Sequence, residues 1–168
     1  MLIVGTMLEE TLRQLHEAHI AATTTTAKKN VFKELCQPHA PLSTFSSVIK
    51  LAFAYGLISA DDYEELEIVR RLRNEAAHTV YDFSLEDNGV KELVMRLKAN
   101  ERMRQKAIDA KGSPPGVTKL VLPEISKVKR DFLVNSLALH ETILEKLEGA
   151  VQSLLTKRES ERSKRTGH

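Results

Sequence analysis

The sequence predicts an all-α fold, a single helical bundle domain with a long C-terminal helix. Three observations point that way. Apolar residues recur at spacings of three and four along successive segments, as amphipathic helices require. Charged residues make up 29% of the chain and aromatics 5%, with no Trp, which suits a core of Leu, Ile, Val and Ala. From Glu124 the pattern stays helical for about 30 residues, with Ile125, Val128, Phe132, Leu139, Ile143, Leu147, Val151 and Leu154 near heptad spacing. A length of 168 residues suffices for one domain with a real core. That domain is expected over residues 1–156, with a basic, disordered tail over 157–168.

The elements follow in order. Thr6 and Glu9 form a capping box for a first helix, about Met7 to Ala22, with Leu8, Leu12, Leu15 and His19 on its inner face. The polar run TTTTAKKN breaks it. Val31 to Cys36 makes a short helix stopped before Pro38. The next helix runs from about Thr44 to Tyr55, with Ser43 or Thr44 as N-cap. Gly56 stands where a helix ends on a left-handed residue. Ser59 then caps a helix over about Ala60 to Thr79, with Asp62 as its acidic partner. Ser84 and Asp87 open a fourth main helix, about Leu85 to Ala107, with Val90, Leu93, Val94 and Leu97 inward. KGSPPG, Lys111 to Gly116, is a loop, and VTKLVLP reads as an extended segment. The last helix, Glu124 to about Lys157, would be about 50 Å long at 1.5 Å per residue. That exceeds what such a domain needs, so one end is expected to overhang or meet a partner.

The helix ending in RNEAAH carries the densest set of functional side-chain types. Leu66, Val69, Leu72, Ala76, Ala77 and Val80 share one face, and Arg73 falls at its centre. An arginine there must snorkel out, pair with an acid of another helix, or face a second subunit. Asn74 and His78 stack four residues apart on a neighbouring face, below Arg70. Glu64, Glu67 and Glu75 lie toward the exposed side.

These residues carry a resemblance. PLSTFSSVIKLAFAYGLIS, then YEELEIVRRLRNEAAH and DFSLED, resembles the mannitol operon repressor family of bacterial regulators over about residues 40–90. The resemblance implies an all-helical protein that represses transcription. A second resemblance overlaps the first. Arg73-Asn74, three residues, then His78 is similar to the R-N-x-x-x-H signature of HEPN proteins (higher eukaryotes and prokaryotes nucleotide-binding), many of them dimeric ribonucleases. That likeness implies Arg73 and His78 as a catalytic pair, with Asn74 as the polar residue following the arginine. A metal-independent ribonuclease needs a base, a proton donor and a cation for the phosphorane, which histidine and arginine supply.

Several classes are excluded or disfavoured. A net charge of +2 does not argue for a nucleic-acid coat. Cys36 is the single cysteine, so no internal disulfide forms, which fits a reducing cytoplasm. MLIVGTMLEE lacks a basic n-region, and no apolar run approaches the ~20 residues of a membrane span. His16, His19, Cys36 and His39 lack tight metal-ligand spacing and read as a core cysteine with partly exposed histidines. Ala52, Gly56 and Ile58 fall at helix-turn-helix spacings. Yet the would-be recognition helix opens with Asp61, Asp62, Glu64, Glu65 and Glu67, which repel a phosphate backbone.

The expectation is a cytoplasmic, repressor-like transcriptional regulator that forms a homodimer. It acts through a protein partner, with weak or no direct DNA binding and no membrane. Arg70, Arg73, Asn74 and His78 are its candidate binding residues. No cofactor and no metal are expected. The alternative is a HEPN-type metal-independent ribonuclease or toxin, with Arg73, Asn74 and His78 catalytic.

Overall fold

The computed structural model describes residues 2–23, 26–78, 83–109 and 125–166. Over these the chain is all-α: α1 (Leu2–Thr23), α2 (Thr26–Leu35), α3 (Phe45–Ala54), α4 (Ala60–His78), α5 (Asn88–Met95), α6 (Ala99–Asp109) and α7 (Lys127–Thr166). Both the fold class and the long C-terminal helix match the sequence reading. The expected KGSPPG loop, the VTKLVLP segment, and Val80 lie outside the described residues. No helix among the described residues is long and apolar enough to cross a membrane.

The chain divides into two compact units. One comprises residues 7–59 and 143–168, the other residues 1–6 and 60–142. In the first, Leu8, Leu12, Leu15, Phe32, Phe45, Val48, Ile49, Ala52 and Ile143 are buried. Thr44 caps α3, its hydroxyl accepting from Ser47 N at 3.2 Å. The helix closes at Gly56, φ +67°, with Leu57 N donating to Ala52 O and Gly56 N to Phe53 O, both 2.9 Å. That double bond is a Schellman closure, and only a residue without Cβ adopts its left-handed turn at no cost. Arg13 holds the preceding loop. Its guanidinium donates to Leu42 O at 3.1 Å and Ser43 O at 2.9 Å while pairing with Glu9 at 2.8 Å.

Three boundaries differ from expectation. α1 begins at Leu2, not Met7, so Thr6 is no cap: its hydroxyl donates back to Leu2 O at 3.0 Å inside the helix. Burial of Val4 and Gly5 recruits the earlier turn. α2 begins at Thr26, so the TAKKN part of the polar run is helical, as its Ala and Lys favour. α7 starts at Lys127, where the Ser126 hydroxyl accepts from Lys129 N at 3.3 Å, and its backbone continues past Lys157 to Thr166.

In the second unit Leu66, Ile68, Val69, Leu72, Val90, Val94, Leu97, Phe132 and Leu139 are buried, and α4 packs on α5. The single helix expected over about Leu85 to Ala107 is two, α5 and α6, broken at Leu97–Lys98. The cause is the Glu65 carboxylate of α4, which takes up the amides of Lys98 and Ala99.

Candidate functional site

α4 buries two acids. Asp62 and Glu65 are each 3% exposed, on the same side as Leu66, Val69 and Leu72. The Glu65 carboxylate accepts from the backbone N–H of Lys98 at 2.9 Å and of Ala99 at 3.1 Å. Asn135 on α7 accepts from Asn100 N at 3.2 Å. Thus the first turn of α6 is capped by side chains from two other helices, where the sequence offers no local cap. Arg102, one turn into α6, closes the network. Its guanidinium hydrogen-bonds Glu65 and reaches Asp62 Oδ1 at 3.3 Å. Charge-assisted bonds of this kind are about twice as strong as neutral ones. They offset the desolvation of two carboxylates that would be untenable alone.

Beside this network lies a cavity of about 220 Å³, lined by Asp61, Glu64, Glu65, Ile68, Arg96, Lys98 and Arg102. Its wall carries both signs of charge. Lys98 Nζ pairs with Glu101 at 3.4 Å.

The candidate residues at the far end of α4 are not gathered into this site. Arg70 pairs with Glu67 at 2.7 Å along the helix. Asn74 and His78 are exposed. Arg73 does not lie at the centre of the buried face. Asp62, Glu65 and Ile68 widen the stripe on its other side, so its centre falls near Glu65 and Val69, and Ala77 is exposed. Arg73 sits half-buried on the flank, laid over Gly5: a Cβ at Gly5 would meet Arg73 Cδ at 2.6 Å. Gly5 is what lets the guanidinium stem approach α1.

The other titratable group of note is His16, 1% exposed in the unit formed by residues 7–59 and 143–168. Its Nε2–H donates to Val48 O at 3.0 Å, since a carbonyl can only accept. Its ring packs against Phe32 at 5.9 Å and Tyr55 at 6.5 Å between centroids, and Nδ1 has no hydrogen-bond partner among the described residues. Burial pushes its pKa below the ordinary 6.5; the Val48 bond opposes this, and the charges of His19 and Arg13 add to the lowering. Burial pushes the Cys36 thiol up, against the charge and hydrogen bond of Arg13, so the thiol stays protonated and poor as a ligand. Among the described residues no three His, Cys, Asp or Glu side chains come together to hold a metal.

Sequence reading missed Glu65 and Arg102 as partners, and assigned Asp62 to a local cap. One signal was available: Asp62 and Glu65, three apart, share the side of Leu66 and Val69, so two acids lie where a core is needed. Their cation stands 37 residues beyond Glu65 and has no such mark.

Comparison with curated proteins finds no match, and neither does comparison with solved structures. The family model described as mannitol repressor matches residues 1–154, nearly the whole of this all-helical chain, which therefore belongs to the mannitol repressor family.

Proposed function

We propose that the protein is a cytoplasmic repressor of transcription that works through protein contacts rather than by reading bases. The family supports repression. The observation that carries the mechanism is how α4 uses its opening turns. Asp62 and Glu65 point inward and are consumed by Arg102 and the α6 cap, while Asp61 and Glu64 are exposed. The helix start therefore offers no Arg, Lys, Asn or Gln to a base edge, and its outward charge repels phosphate. A homodimer is part of this proposal. Val151 and Leu155, one turn apart on α7, are 41% and 48% exposed, an apolar pair suited to a second copy.

Footprinting on promoter fragments tests the mechanism. Purified protein at nanomolar concentration and physiological salt is expected to leave no footprint. A sequence-specific footprint that survives removal of residues 157–168 refutes it. For the dimer, light scattering that shows a monomer throughout the micromolar range is the refuting result.

A further inference from the structure

We propose that α7 pairs with the α7 of a second copy as an antiparallel, two-fold coiled coil, with Glu148 of each chain facing Arg158 of the other. The proposal rests on the homodimer reading above, and it names the helix, the direction and the register.

The helix outruns its own packing. Ile143 is the last buried residue of α7 among those described, yet the helical backbone continues to Thr166, about 35 Å further on. A helix of that length in water draws most of its stability from a packed face rather than from propensity. Beyond Ile143 the chain's own contacts cover one side. Leu147, Ala150 and Leu154 are half-buried and share the side of Ile143. Val151 and Leu155 are 41% and 48% exposed and lie about 90° round from that side. They therefore belong to a second stripe.

The second stripe has the rhythm of a coiled coil. Leu144, Glu148, Val151, Leu155, Arg158 and Arg162 follow one another in alternating steps of four and three. Glu148 is exposed, and its side chain makes no ion pair or hydrogen bond among the described residues.

The order of these residues selects the partner. From Glu148 to Arg158 the stripe runs acid, apolar, apolar, base. Turned end for end, it meets its own complement. About a two-fold axis passing between Val151 and Leu155, each Val151 meets Leu155 of the second copy and each Glu148 meets Arg158. One step further out, position 162 falls opposite Leu144. A parallel pair would instead set Glu148 on Glu148 and Arg158 on Arg158, with like charges opposed. The antiparallel interface is isologous, so it closes at two chains.

The test measures the dimer dissociation constant of the full chain by sedimentation equilibrium. Glu148→Arg and Arg158→Glu, each alone, put two like-charge pairs into the interface and are expected to weaken the dimer at least about tenfold. The combined variant Glu148→Arg/Arg158→Glu restores opposite charges in the antiparallel register. It is expected to return to within about threefold of wild type. Because Glu148 is exposed, Glu148→Arg is expected to keep the wild-type Tm at dilutions where both are monomeric, which separates lost pairing from lost fold. Single variants that dimerise as tightly as wild type overturn the proposal, as does a loss that the combined variant fails to recover. In both cases the wild-type dimer leaves the homodimer reading standing. A wild type that stays monomeric throughout the micromolar range removes that reading and this one together.

Discussion

Replacing Glu65 by alanine removes three things at once. The amides of Lys98 and Ala99 lose their acceptor, Arg102 loses one of its two carboxylates, and the side chain's volume becomes a void. A lost helix cap costs about 0.5–2 kcal/mol. Breaking a buried pair costs about 3–5 kcal/mol when the surviving charge is stranded. Arg102 is not stranded: its side chain is 33% exposed and keeps Asp62, so solvent screening reduces that figure. The total expected is about 2–4 kcal/mol, or a fall of roughly 5–15 °C in Tm for a chain of this length. Glu65→Gln keeps one acceptor oxygen and the shape, and is expected to cost about half as much. Urea titration gives the free energies, and amide hydrogen exchange at Lys98 and Ala99 locates the loss in the first turn of α6. A Glu65→Ala variant within about 0.5 kcal/mol of wild type, with unchanged protection at those amides, refutes this account of the helix break.

Three further outcomes are expected. Below pH about 6.5 the unfolded chain takes up a proton at His16 that the folded chain resists, so stability is full above that pH and falls as pH drops toward the lowered folded pKa. Urea midpoints at pH 7.5 and 5.5 show this as a decline that His16→Gln reduces. Gly5→Ala sets a methyl against the Arg73 stem and is expected to cost about 1–3 kcal/mol by overpacking; the double variant with Arg73→Ala is expected to cost less than the sum, which a thermal-melt cycle measures. Arg73→Ala is expected to lower Tm and His78→Ala, at an exposed position, to change it little, with no metal-independent RNA cleavage by wild type. Two stable variants that abolish a wild-type cleavage activity instead establish the ribonuclease reading.

What was legible in the sequence is local. Thr44, Gly56 and the span of α4 follow from cap and turn chemistry within a few residues of each helix end, and the structure has them there. What was not legible is tertiary. The α5–α6 break depends on an acid 33 residues upstream, so the continuous apolar pattern from Val90 to Leu97 concealed it. The start of α1 was hidden in the same way. Thr6 and Glu9 have the spacing of a cap, but burial of Val4 and the seat that Gly5 provides for Arg73 extend the helix beyond them. Arg73 itself was placed by periodicity on the right helix and the right side. Its placing at the centre followed from leaving Asp62, Glu65 and Ile68 out of the buried face, when all three are core.

The buried acids have a consequence for the order in which the chain is made. Synthesis exposes Asp62 and Glu65 before Arg102, which follows them by 40 and 37 residues. In that interval α4 carries two hydrated carboxylates on the side that later faces inward. Stripping their water without a cation is costly, so Leu66, Val69 and Leu72 resist collapse onto a neighbouring nascent chain. When Arg102 emerges, both carboxylates accept its guanidinium, and Glu65 also accepts the amides that begin α6. Packing of α4 is therefore expected to wait on the segment that carries Arg102.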